Sequence, residues 1–233
     1  MRILAIDAAT KGLGAAVTED DKLLAVSCLN VGKTHSQRLI PLIDDLMKAG
    51  GISLQDIDLV TVTIGPGSFT GLRIGISSAK AIAYALGVKM VGVKTLDALA
   101  QNCVGVSGLV CPILDARRNE VYYGIYDSQG NAVEAIGSME PTALAQHIKE
   151  TYPNENITFL GDAADIYFNT MAEILGDKAK LAPAARRIFM ADSAAFYGEK
   201  HRADAVLPQE IKAFYLRPSE AERQRKARLA NGK

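Results

Sequence analysis

The chain writes one structural plan twice. An apolar run ends in Ile6-Asp7-Ala8, and a later one ends in Leu114-Asp115-Ala116. From Asp7 to Asp20, which sits in a turn signal, is 13 residues, and from Asp115 to Ser128 in the turn "SQGN" is 13 again. Around these markers the same elements recur in the same order. Short apolar runs bounded by turn residues predict strands over 3–7, 14–17 and 23–28, then over 109–115, 121–126 and 132–136. A 3.6-residue apolar period predicts helices over 35–49 and 141–151, strands follow over 59–64 and 157–160, and helices over 70–86 and 165–175. The first half adds a strand over 90–93 and a helix over 96–102. Internal repetition of this kind means two copies of one unit. The fold class that follows is α/β: a duplicated actin-like (ASKHA, the sugar-kinase and heat-shock ATPase architecture) fold, two β-β-β-α-β-α units with a cleft between them.

The "GVSG" stretch at 105–108 is the natural joint. It divides the chain into a first unit at 1–106, a second at 107–217, and a charged tail at 218–233 with hardly a large apolar residue.

At 233 residues the chain is long enough to bury a substantial core. Its 26 Lys and Arg are matched by 26 Asp and Glu, which argues against whole-surface attraction to nucleic acid or anionic membrane. The N-terminus enters a strand pattern directly, without the charged and apolar regions of a leader. No window approaches the ~18 apolar residues of a spanning helix. The three cysteines are scattered and lack CxxC spacing, so neither a disulfide framework nor a zinc site is indicated. The expectation is a cytoplasmic protein with no membrane partner.

In a duplicated fold of this class, the hairpin after each strand-end Asp grips phosphate through backbone N–H groups, and glycine lets them converge. The first hairpin, "DAATKGLG", keeps Thr10, Lys11 and Gly12 after Asp7 but has Ala8 and Ala9 beside the Asp. The second, "DARRNEVY", follows Asp115 with Arg117 and Arg118 and has no glycine in the turn. Both read as degenerate phosphate hairpins, which weighs against a kinase or ATPase acting alone. The stretch "GPGSFTGLRIG" is not a GxxxxGK[ST] loop either. His35 and Ser36 do not make a convincing base and nucleophile, because neighbours at a helix start seldom aim at each other. Helix capping by Thr34 or Ser36 is the simpler reading.

The helix after "GPGSF" carries Gly71, Gly75, Ala79 and Ala83 on one stripe, with Thr70 as its expected N-cap. It is small or apolar nearly all round, so it is either a central core helix or one covered by a second protein. The preceding helix has Leu39, Leu42, Ile43 and Leu46 on one stripe, Ile40 and Met47 widening it, and Pro41 predicting a bend. Two such helices in succession suggest a pair that builds a four-helix bundle with a similar pair.

"IDAAT", "THSQRLIPLI", "GPGSFTGLRIGISSAKAIA", "DARRNEVY" and "FYLRP" together resemble the TsaB (YeaZ) family, over residues 6 to about 218. The resemblance implies the duplicated actin-like fold already read from the repeat. It also implies a non-catalytic subunit of the machinery that places threonylcarbamoyl on the adenosine beside the anticodon, in tRNAs reading codons that begin with A. The implied partners are a TsaD-type paralogue, which carries the metal and the transfer chemistry, a TsaE-type ATPase, and tRNA through the complex. Self-association is implied where TsaD is absent. ATP and a metal ion belong to the assembled complex, with none bound by this chain alone. Where TsaD-type proteins have two metal-binding histidines, this sequence has Thr95 and Leu99.

The implied partner interface comprises His35, Ser36, Leu39, Leu42, Ile43 and Leu46, with Phe69, Thr70, Gly71, Leu72, Arg73, Gly75, Ile76 and Ala79. On this reading Gly65 and Gly67 shape the turn, and Gly71 and Gly75 open a groove for the partner's helix. The chain departs from the family's usual "IDTS" at Ala8-Ala9 and from a common Glu at Gln37.

Overall fold

The computed structural model describes residues 1–30, 34–188 and 190–217. The expected tail at 218–233 lies outside the described residues. In the first unit, β1 (Arg2–Asp7), β2 (Leu13–Glu19) and β3 (Lys22–Leu29) form an antiparallel meander. Helix α1 (His35–Gly50) leads to β4 (Leu59–Gly65), parallel to β1. Helix α2 (Phe69–Leu86) leads to β5 (Lys89–Lys94), parallel to β4, and α3 (Thr95–Gln101) closes the unit. The sheet order is β3-β2-β1-β4-β5.

The second unit repeats this plan with β6 (Leu109–Arg117), β7 (Glu120–Tyr126), β8 (Ala132–Met139), α4 (Pro141–Thr151), β9 (Ile157–Leu160) and α5 (Ala164–Leu175). It then continues through β10 (Ala179–Leu181) and α6 (Ala191–Lys200), which the apolar periodicity had not marked. Its sheet order, β8-β7-β6-β9-β10, matches the first sheet strand for strand. Each unit is therefore β-β-β-α-β-α-β-α.

The packing explains why the leading strands are apolar throughout. Leu4 and Ile6 of β1 face α1 and α2, in a cluster with Leu39, Leu42, Leu46, Leu72 and Ile76. Ile3 and Ala5 point the other way, into a central layer made by α3 and α6 with Val110 and Leu114 of β6. The alternate residues of β6, Cys111 and Ile113, face α4 and α5. A strand covered on both faces has no polar side to show. The result is five layers, helices–sheet–helices–sheet–helices.

Helix α6 follows the second sheet in sequence but packs on β1 and β2 of the first, while α3 reaches β6 and β7. The small side of α6 makes this possible: Ala191, Ala194 and Ala195 are fully buried, and a Cβ on Gly198 would stand 2.0 Å from Thr61 Cγ2. Asp97 on α3 accepts hydrogen bonds from the hydroxyls of Tyr126 on β7 (2.6 Å) and Tyr197 on α6 (3.3 Å), fastening the central layer. Among the described residues no helix is long and apolar enough to cross a membrane.

Candidate functional site

The cleft between the units opens where β1, β4, β6 and β9 end. It encloses about 440 Å³, with Thr10, Lys11 and His35 on one wall and Asp115, Arg117, Tyr122 and Asp162 on the other. Ser68, Phe69 and Thr70 line it from the start of α2, and Phe214 to Arg217 run alongside.

The first hairpin is closed on itself. Asp7 is buried, and its carboxylate accepts from the Ala9 N–H (3.1 Å) and from the Thr63 hydroxyl (2.8 Å). Burial pushes the Asp7 carboxyl above its ordinary value, while those two donors and nearby His35 pull it back. Thr10 Oγ1 accepts from the Gly12 N–H at 3.1 Å, and Ser68 N–H donates to the Ala9 carbonyl at 2.6 Å. His35 Nε2 lies 2.9 Å from the Thr10 carbonyl, so it donates there and struts the start of α1 against the hairpin. Ser36 beside it is exposed.

The second hairpin is closed in the same way. Asp115 accepts from the Arg117 N–H at 2.8 Å, and the Asp115 N–H donates to Asp162 at 3.0 Å. Burial raises the Asp162 carboxyl, and Lys11 and Arg117, one cation from each wall, act against that rise. Arg117, Arg118 and Asn119 have φ of 65°, 56° and 58°, three consecutive non-glycine residues in the left-handed region. The site is unusual in placing long basic side chains on backbone that favours glycine.

A phosphate cradle is built from free backbone N–H groups. Here the N–H groups of Ala9, Gly12 and Arg117 already donate to Asp7, Thr10 and Asp115. Two carboxylates, Asp115 and Asp162, also share the second wall. Those three N–H groups are therefore already occupied, and a phosphate at these hairpins would have to displace their side-chain acceptors.

The two helices differ from expectation in one important respect. Leu39, Leu42, Ile43, Leu46, Gly71, Leu72, Gly75, Ile76 and Ala79 are buried within the chain itself. The Gly71–Ala83 ridge faces inward: a Cβ on Gly71 would stand 2.1 Å from the Ala8 carbonyl oxygen, and one on Gly75 would stand 3.1 Å from Ala8 Cβ. The groove expected for a partner's helix is filled by the chain's own first hairpin, because a ridge without side chains admits whichever backbone comes closest. The cap also moves. Ser68, not Thr70, is the N-cap of α2, its Oγ accepting from the Gly71 N–H at 3.2 Å. Thr34 precedes α1, and its hydroxyl bonds the Gln37 side chain at 2.8 Å rather than capping the backbone.

The sides of α1 and α2 that do face outward carry a second surface. A groove of about 570 Å³ lies between Ile40, Pro41, Ile43 and Met47 of α1, Ile52 and Leu54 beyond it, and Ile82 of α2, with Asp44, Asp45 and Lys48 also lining it. Ile40 is 52% exposed and Tyr84 80%. Of the expected interface residues, Ser36, Thr70 and Arg73 are exposed, while His35 and Phe69 are half-buried. Phe69 stacks on the Tyr215 ring at 4.8 Å and carries the Arg73 guanidinium 4.0 Å from its own ring centre. Thr95 and Leu99 are buried on α3.

Sequence reasoning missed Ile82, Tyr84 and the cleft-lining role of Phe214, Tyr215 and Arg217. For Tyr84 a signal existed, since an aromatic on the side of a helix away from its small-residue stripe has no sheet to cover it.

Comparison with known proteins places this geometry. A family model described as "TsaD: tRNA N6-adenosine threonylcarbamoyltransferase" matches residues 29–212. The Bacillus subtilis tRNA threonylcarbamoyladenosine biosynthesis protein TsaB is 33% identical over 226 residues, 95% of this chain and 96% of that protein. The structure of YeaZ from Pseudomonas aeruginosa superimposes with a TM-score of 0.74 at 24% identity, over 92% of this chain and 99% of that one. A Bacteroides thetaiotaomicron protein with an actin-like ATPase fold and unknown function gives 0.50 at 6% identity, over 84% and 95%. The repeat, the cleft and the full-length likeness agree: the fold is the duplicated actin-like one, and the chain belongs to the TsaB (YeaZ) family.

Proposed function

We propose that this chain is an accessory subunit in the biosynthesis of threonylcarbamoyladenosine in tRNA, acting on the adenosine next to the anticodon in tRNAs that read codons starting with A. It pairs with a TsaD-type paralogue, which supplies the transfer chemistry, and works with a TsaE-type ATPase. tRNA is engaged through the complex. The full-length likeness to a TsaB protein carries this reading. The apolar groove on the outer sides of α1 and α2 is the surface best suited to the paralogue, and to a second copy of the chain where the paralogue is absent.

The chain itself performs no transfer. The committed N–H groups of both hairpins support that reading, as do Thr95 and Leu99, neither of which can offer an imidazole. ATP and a metal ion are then requirements of the assembled complex. A small kinase acting alone is disfavoured by the same hydrogen bonds.

The test is reconstitution with the TsaD-like, TsaE-like and adenylate-forming proteins of the same genome. Modified tRNA is expected only when the chain is present, with no turnover of ATP by the chain alone. Modification that proceeds without it would overturn the reading.

A further inference from the structure

We propose that residues 213–217 form a latch that fixes how far the cleft between the two units opens. This inference needs no assumption about the reaction. The segment is held at both ends, and the ends belong to different units. On the first unit, Phe214 N–H donates to the Ile64 carbonyl at the end of β4 at 2.7 Å. The Phe214 carbonyl occupies the space beside Gly65, where a Cβ would come within 2.4 Å of it. The Phe214 ring receives Lys94 Nζ at 5.3 Å, and Tyr215 stacks on Phe69 at the start of α2.

On the second unit, Arg217 pairs with Glu120 at the start of β7 and reaches Ser138 Oγ on β8 at 3.4 Å. Both partners are largely covered, at 24% and 29% side-chain exposure. Solvent and salt therefore screen this pair less than a surface ion pair.

Only three residue steps separate the Phe214 anchor from the Arg217 anchor. An extended chain covers at most ~3.3–3.6 Å per residue. The tether is therefore short, and the walls cannot separate by more than its slack while both anchors hold. Phe214 to Arg217 line the same cavity as Lys11 and Arg117, so the latch sets the spacing of the two cations. Elsewhere the units are joined through the α3–α6 layer, about which a cleft of this kind would hinge.

The experiment uses the full chain with Cys28→Ser, so that labels go to introduced sites while Cys103 and Cys111 stay buried. Spin labels are placed at Arg38 and Thr142, exposed residues near the starts of α1 and α4, one on each unit. Pulsed dipolar spectroscopy then reads the distance between the units. A narrow distribution is expected with the latch intact. Arg217→Ala should shift it to longer distance by about one residue's reach, ~3.5 Å, and broaden it. Exchanging the charges, Glu120→Arg with Arg217→Glu, should restore the narrow distribution and so separate latch loss from misfolding. An unchanged distribution in Arg217→Ala, or an exchanged pair as broad as the single variant, overturns the proposal.

Discussion

The Ala8 carbonyl oxygen lies 2.1 Å from the point at which a Cβ on Gly71 would stand. Helix α2 and the first hairpin thus meet backbone to backbone. Gly71→Ala must push them apart, and overpacking of this kind costs about 1–3 kcal/mol. A lower urea midpoint with an unchanged m-value is the expected result. Gly75→Leu should also destabilise the isolated chain, since position 75 already faces Ala8 Cβ at 3.1 Å. A Gly75→Leu chain as stable as the parent would return the ridge to the outside of the molecule.

The outer groove predicts the opposite pattern. Ile40 lines the groove and faces solvent, so Ile40→Glu should change stability by no more than ~0.5 kcal/mol, and Tyr84→Glu, exposed outside the groove, serves as the control. If the groove receives the TsaD-type paralogue, the charge at position 40 would be buried in the complex, whereas the charge at 84 would not. Affinity of Ile40→Glu measured by calorimetry should then fall at least tenfold, about 1.4 kcal/mol. Undiminished binding by Ile40→Glu would move the interface elsewhere.

Asp7 supplies a pH dependence whose sign is fixed by its burial. Its carboxyl titrates higher in the folded chain than in the unfolded one. The folded state therefore holds the proton more tightly, and this group's contribution to stability is lost as pH rises from the unfolded carboxylate value through the folded one. Asn at this position keeps an oxygen to accept from Ala9 and Thr63 but cannot ionise. Subtracting Asp7→Asn from the parent should leave a stability difference that declines with rising pH across that window and is flat above it. Urea midpoints measured from pH 4 to 8 would check this; a difference that grows with pH contradicts the assignment.

Arg117 holds φ 65° in the second hairpin, where an L-residue costs about 1–2 kcal/mol. Its ion pair with Asp115, at 3.4 Å, is largely exposed on the arginine side and adds little. Arg117→Gly should therefore gain up to ~1 kcal/mol after allowing for glycine's entropy, whereas Arg117→Ala keeps the strain and gains nothing. Thermal unfolding of the two variants side by side separates these outcomes.

Much of this molecule was legible in its residues, and what was not has identifiable causes. Strands β1 and β6 announce themselves because both faces are covered, leaving unbroken apolar runs that end at Asp7 and Asp115. Strand β10 has three residues, too few to show a period. Helix α6 meets its sheet through alanines and Gly198, so it lacks the broad stripe of large side chains by which helices are usually read. The small-residue ridge of α2 was visible, but its occupant was not. Absent side chains say that something comes close without saying what, and here Ala8 takes the place assigned to a partner. The leucine stripe of α1 shows the same limit. Its period is legible, but the structure buries Leu39, Leu42 and Leu46 against the chain's own core while Ile43 lines the outer groove. The stretch "FYLRP" stands out in the sequence, but its role as a latch does not, because its partners at Ile64, Phe69 and Glu120 are distant in sequence.

The crossing of α3 and α6 bears on how such a chain can be divided. Helix α6, encoded by the second copy, covers β1 and β2, and α3, encoded by the first, reaches β6 and β7. The second repeat thus lends its last helix to the first sheet, while α3 lies between the sheets and packs on both. A break between residues 106 and 107 would yield two fragments, the first lacking a helix its own sheet requires. Severed halves mixed together are expected to reassemble, whereas either half alone would present an uncovered sheet face to water.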